Sequence, residues 1–365
     1  MQPKHSGQAR VPSTNADSIL TMLQRCVPPV HLSAHGRLDP AREPFEAGLL
    51  DVGQGHRLYV EQCGNPEGLP VVFLHGGPGS ACSPGHRSFF DPGIFRAILM
   101  DQRACGRSVA PPGWAHNTTA HLIADLEVLR QHLGLSRWLV MGGSWGAGLG
   151  LAYAAAHPEA CLGLLLRGVF LGRPGDIDAF FQGMQPRLPQ AWAALTRGAS
   201  EAQKSRIVPW LHHHLHSGSA AKALDIALRW EAWEASVEQQ QLVPARAAQL
   251  PLHEVQRLVR KYQVQSHYLH HGCFWGDDGL LSRIYTLHSL PVALVHGQCD
   301  TVCSPQAALE VHRRLPHSTL NLLAQSGHNP YEPVMAQAVV NALNGFARHG
   351  HFGRPDLPMP ARDTP

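Results

Sequence analysis

The stretch that most limits how this chain can fold is "LVMGGSWGAGLGLAYAAAHPE", Leu139 to Glu159. An apolar run of strand character meets a serine set among glycines, and an alanine-rich run of helical character follows. Gly142, Gly143 and Gly146 around Ser144 fit the G-x-S-x-G pattern, in which small residues relieve a sharp strand-to-helix turn and lift the serine oxygen above a sheet. A helix beginning near Trp145 would aim free amide groups and a positive dipole end at the same place. A glycine-rich turn with an inert serine could use the same pentapeptide, so the strand before it and the helix after it carry the weight of the reading.

Other short apolar runs surround this stretch: "GLLDV", "HRLYVEQ", "PVVFLHG", "RAILMDQ", "RWLVMGG" and "LGLLLRGVF". Runs of this length, closed by Gly, Pro or polar turns, read as sheet strands. Between two of them "TTAHLIADLEVLRQHLG" repeats Leu122, Ile123, Leu126, Leu129 and Leu133 at helical spacing, with Gly134 where a helix cap is expected. Strands alternating with helices predict an α/β class with a mostly parallel sheet covered on both faces. From about residue 173 to 286 the alternation gives way to helical patterns such as "AAKALDIALRWEAWEASVEQQQ", then strand signals return at "LPVALVHGQCD" and "STLNLLAQSGH" before a last helix. The expected organisation is an N-terminal extension over 1–43, a first core segment over 44–172, a helical cap over 173–286, a second core segment over 287–350 and a C-terminal tail over 351–365. No internal repeat is visible.

Composition narrows the function classes. With 365 residues, 44% hydrophobic and 16% charged, the chain suits a globular protein with an ample core. The net charge is +3 and the basic residues are scattered, so no nucleic-acid surface is expected and a small-molecule partner is. The first twenty residues lack a signal-peptide core and no apolar run reaches the roughly 20 residues that cross a bilayer, which predicts a cytoplasmic protein without a membrane partner. Eight cysteines without a CxxC pair read as reduced thiols, Cys299 and Cys303 forming only a weak pair. The tract "HHHLH" at 212–216 reads first as a solvated helix face and second as a metal ligand set.

A second glycine cluster, "VVFLHGGPGS", ends another apolar run and could present an amide toward the serine as half of an oxyanion hole. A phosphate loop is the rival, but no Lys-Ser or Lys-Thr follows and no helix starts there. A base and an acid should lie after later strands. "VALVHGQCDTVCSP" places Asp300 in one such loop and "LLAQSGHNPYEP" places His328 in the next, giving the order Ser, Asp, His. Among 25 histidines, position is what singles out His328. Asp101, Asp125, Asp277 and Asp278 compete with Asp300, the first two at an earlier strand end and on a helix, the last two in the cap.

The set "HGGPGS", "DQRACGRS", "NTTAHLIADLEVLRQHLG", "RWLVMGGSWGAGLGLAYAAAHPE", "LLLRGVFLGR", "HGQCDTVCSP" and "SGHNPYEP" resembles the proline iminopeptidases, or prolyl aminopeptidases, over roughly residues 44 to 347. The resemblance implies an α/β-hydrolase fold and removal of an N-terminal proline from a peptide with a free N-terminus, by acyl transfer to serine, with no metal and no cofactor. It further implies Ser144 as nucleophile, His328 as base, Asp300 as orienting acid, and the amides of Gly77 and Trp145 as the oxyanion hole, with Gly76 the fallback for Gly77. Glu234 stands where a cap glutamate grips the substrate's amine, though alone it reads as an exposed helix carboxylate. Phe170 and Phe180 match positions of a proline pocket. The chain departs from the family at "QSHYL", where Gln265 replaces a carboxylate and Leu269 an aromatic ring, and Ala104 replaces a glycine. A neutral amide accepts a hydrogen bond from an ammonium without the charge-assisted part. A non-peptidase esterase or amidase and a non-enzymatic binding module on the same fold are the alternatives.

Overall fold

The computed structural model describes residues 43–353. The extension over 1–43 and the tail over 351–365 therefore lie, but for residues 43 and 351–353, outside the described residues. Among these, the strands are β1 (Glu46–Asp51), β2 (Arg57–Gly64), β3 (Leu69–Leu74), β4 (Phe95–Met100), β5 (Trp138–Gly143), β6 (Cys161–Arg167), β7 (Val292–Gly297) and β8 (Thr319–Leu323). They form one sheet in the order β1-β2-β4-β3-β5-β6-β7-β8. The first two pairings are antiparallel and the rest parallel.

β3 shows why helices must cover both faces. Every residue of its "LPVVFL" is buried. Val72 and Leu74 join Met100, Val140 and Leu166 in one core cluster, while Val71 and Phe73 join Leu99, Leu139 and Leu165 in another. Successive strand side chains point to opposite faces, so a strand apolar at every position needs two layers against it. The short α1 (Pro84–Arg87) follows β3; α2 (Thr119–His132) and α3 (Trp145–Ala156) bring Leu122, Leu126 and Leu149 to the first cluster.

Between β6 and β7 the chain forms α4 (Pro174–Phe180), α5 (Pro189–Leu195), α6 (Glu201–Lys204), α7 (Ile207–His216), α8 (Ala220–Gln239) and α9 (Leu252–His270). Their tryptophans pack inward: Trp192 meets Trp233 with ring centroids 5.4 Å apart, and Trp230 meets Tyr262 at 5.2 Å. These rings belong to the same core cluster as Leu74 and Trp145, so apolar contact runs unbroken from the sheet into the helices. After β7 come α10 (Pro305–Arg314) and, after β8, α11 (Pro333–His349), whose Met335, Val339, Leu343 and Phe346 fill the second cluster.

The 212–216 tract departs from the expected solvated face. His213 is exposed, but His212 stacks on His270 at 4.4 Å, and His216 packs edge-on against Trp114 with its Nε2 3.1 Å from Ser266 Oγ. The cause is local: buried Leu211 and Leu215 draw α7 onto α9 and carry the neighbouring imidazoles with them. Burial, then the adjacent imidazoles, lowers the His212 pKa to about 3. Among the described residues no group of three or more His, Cys, Asp or Glu is arranged to hold a metal ion, the cysteines are free, and no helix is long and apolar enough to cross a membrane.

Candidate active site

Ser144 sits between β5 and α3 with φ 58° and ψ −123°, a conformation that costs a residue with a side chain and survives only where its surroundings impose it. Those surroundings are visible. A Cβ at Gly146 would lie 2.0 Å from the Leu74 carbonyl oxygen, so α3 can start against β3 only if that position is glycine. The Ser144 amide donates to the Arg167 carbonyl at the end of β6 (2.9 Å). Trp145 opens α3, where the first amides have no acceptor within the helix.

The loop after β3 is tied to this elbow by one side chain from the "DQRACGRS" stretch. Gln102 Nε2 donates to the His75 carbonyl and Gln102 Oε1 accepts from Trp145 Nε1, both at 2.9 Å. The Gln102 amide donates to His75 Nε2 (3.0 Å), so the proton is on Nδ1, which donates to the Gly76 carbonyl (2.9 Å). Burial lowers the His75 pKa and keeps the ring neutral for this role. Gly76 and Gly77 thereby border the same cavity as Ser144.

Beyond β7 and β8, Asp300 Oδ2 accepts from His328 Nδ1 at 2.7 Å, leaving Nε2 as the ring's remaining basic nitrogen. Asp300 Oδ1 accepts from the amides of Val302 (2.9 Å) and Cys303 (2.8 Å). A second imidazole, His296, places Nε2 3.4 Å from Asp300 Oδ2, donates from it to the Cys303 carbonyl (2.9 Å) and accepts the Val169 amide at Nδ1 (3.2 Å). Burial by itself would raise the Asp300 pKa; the His328 charge and the hydrogen bonds from His296 and His328 outweigh it and hold the carboxyl well below the usual range. Ser144 Oγ lies 3.8 Å from Cys303 Sγ and, among the described residues, makes no hydrogen bond to His328. In unliganded enzymes such contacts are often loose and tighten with substrate.

The competing carboxylates are committed elsewhere. Buried Asp125 takes both forks of Arg103 (2.6 and 2.7 Å), and Asp101 accepts from Arg107 Nε (2.7 Å), while Asp277 and Asp278 are exposed.

Ser144 and His328 face a cavity of about 250 Å³, just below the lower end of the range for small-molecule sites. Phe170, Phe180 and Leu269 supply an apolar wall, and Glu234, Lys261 and Gln265 a polar one. Lys261, Gln265 and Leu269 follow at intervals of four along α9, which sets them on one face. Glu234 Oε2 accepts from Lys261 Nζ (2.9 Å) and Tyr262 OH (2.8 Å), and Oε1 accepts from Gln265 Nε2 (2.6 Å). Gln265 is 6% exposed, and its Oε1 has no partner. All the site residues inferred from the sequence border this cavity except Trp145, buried beneath it, and Asp300, behind His328.

Residues 70–333 match the family model described as alpha/beta hydrolase fold. The proline iminopeptidase of Xylella fastidiosa (strain Temecula1 / ATCC 700964) is 38% identical over 312 residues, spanning 85% of this chain and 99% of that one. The chain belongs to the proline iminopeptidase family. The Neisseria gonorrhoeae member is 37% identical across 83% of this chain and 96% of its own length. The solved structure of the Mycobacterium smegmatis proline iminopeptidase shares the fold, with a TM-score of 0.54 at 18% identity over 83% of this chain and 99% of that one.

Proposed function

We propose that the chain is a serine aminopeptidase that releases N-terminal proline, or a similar small residue, from peptides. Ser144 Oγ attacks the carbonyl carbon of the first residue while His328 Nε2 takes the serine proton. The oxyanion that forms accepts from the amides of Gly77 and Trp145. His328 then protonates the departing amine as the C–N bond breaks, leaving an ester on Ser144. Water, deprotonated by the same imidazole, hydrolyses that ester and frees the amino acid. Asp300 holds the ring with Nε2 toward the cavity. The chemistry uses no metal or cofactor.

Glu234 receives the substrate's amine, with Gln265 beside it, and Phe170, Phe180 and Leu269 surround the pyrrolidine ring. The same proposal treats residues 173–286 as an inserted cap that carries these recognition groups over the strand ends. The observation that carries the reading is the meeting, in one small cavity, of Ser144, a histidine bonded to a buried carboxylate, and a second carboxylate beside an apolar wall. The esterase or amidase alternative is not favoured by relatives that are proline iminopeptidases. The test is hydrolysis of L-prolyl p-nitroanilide: the wild type should cleave it and Ser144→Ala should not. A wild type inactive on this anilide but active on simple acyl esters would reverse the choice.

A further inference from the structure

We propose that Lys261 is an internal cation occupying the amine subsite, and that it sets how strongly this enzyme prefers a charged N-terminus. The proposal rests on the aminopeptidase reading above. Glu234 carries three donors already: Lys261 Nζ, Tyr262 OH and Gln265 Nε2. Lys261 is fixed from two directions. Its ammonium also lies 3.1 Å from Tyr262 OH and 4.6 Å from the centre of that ring. Its backbone abuts the loop after β3, where a Cβ at Gly79 would come within 2.3 Å of the Lys261 carbonyl oxygen. The side chain therefore rises from a pinned point on α9 into the cavity.

An arriving ammonium meets a carboxylate whose charge is balanced. Beside it the neutral Oε1 of Gln265 is buried and without a partner, and the exposed Glu238 borders the same cavity. A substrate ammonium therefore competes with Lys261 Nζ for the charge of Glu234, and Lys261, 29% exposed, has solvent to swing into. An uncharged nitrogen, as in an N-acylated proline, requires no displacement and forfeits nothing that Lys261 has not taken. Lys261 thus raises the KM of free-amine substrates and narrows the gap between free and blocked ones.

The test compares wild type with Lys261→Met and Lys261→Arg, measuring KM and kcat for L-prolyl p-nitroanilide and the inhibition constant of N-acetyl-L-prolinamide. Removing the cation should lower KM about three- to tenfold, the range for a part-exposed ion pair with a charge-assisted hydrogen bond, without tightening the neutral inhibitor. Lys261→Arg keeps a cation there and should hold KM near the wild-type value. An unchanged or raised KM in Lys261→Met, a parallel fall in KM and inhibition constant, or an arginine variant that behaves like methionine would each overturn the proposal. Should Lys261→Met not fold, Lys261→Gln carries the same expectations. Wild type that fails to cleave the anilide would overturn the aminopeptidase reading and this inference together; cleavage without the KM shift overturns the inference alone.

Discussion

At the strand ends, Ser144 is held by backbone: a positive φ, a hydrogen bond to the Arg167 carbonyl, and a helix start that tolerates only glycine at 146. Across the cavity, on α8 and α9, Glu234 is held by three side chains, the part-exposed Lys261 and the buried Tyr262 and Gln265. Backbone positioning survives most substitutions nearby, whereas a recognition group held by side chains is retuned by changing any one of them. Within one cavity the candidate reacting atoms are thus fixed by backbone and the candidate recognising atoms by side chains.

The largest expected effect tests the first half. Ser144→Ala and His328→Ala should each lower kcat by about four to six powers of ten, and the double variant should lose little more, because the groups act as a unit. Additive losses would show two independent contributions and break the comparison. Next comes the buried frame under the strand ends. Arg103→Met strands Asp125 without its partner, at a cost of about 3–5 kcal/mol, so the denaturant midpoint should fall markedly while kcat per folded molecule holds. An unchanged midpoint would mean the frame is not what holds that half.

A smaller effect belongs to the helices. Glu234→Gln should raise KM for free-amine substrates about tenfold with kcat kept, and Gln265→Glu should lower it, since charged partners contribute more than neutral ones. Equal weakening of free and blocked substrates would make Glu234 structural.

The smallest is a pH effect. Burial leads the causes that lower His212 to about 3 and His267 to about 4, against an ordinary 6.5. Between pH 6.5 and these values an unfolded chain binds more protons than the folded one, so stability should fall as pH drops through that window and be fully present above it. Calorimetry from pH 7.5 to 4 should show the loss, and hydrogen exchange should place the first opening at α7 and α9. A flat melting temperature there would remove the acid weakness assigned to the helical half.

The strand-end half was legible in the sequence because its signals are local. A glycine-bracketed serine between a strand and a helix has few other uses, and Asp300 and His328 each follow an apolar run. The other aspartates were separable once each had an arginine or solvent. What stayed hidden depends on contacts between distant segments. Gln102 looks like one polar residue in a loop until its amide bridges His75 and Trp145. His296 is inside a buried strand, four residues ahead of Asp300, where an apolar run ordinarily ends without chemical meaning. Lys261 reads as a solvated helix lysine, and only the packing of α9 on α8 brings it to Glu234. The histidine tract misled for the same reason: the helix that covers it lies some fifty residues further along.

The chain order of the sheet sets a sequence of events during synthesis. β5 and its serine are made early, while β7 and β8, at one edge of the sheet, deliver Asp300 and His328 last. On the proposed roles, the candidate nucleophile Ser144 is made long before its candidate base His328, while a domain folds as a unit. A chain cut short ahead of β8 lacks His328 and, on the proposed roles, is expected to be inactive. On that reading the full set of reacting groups exists only once the last strand of the sheet has been made.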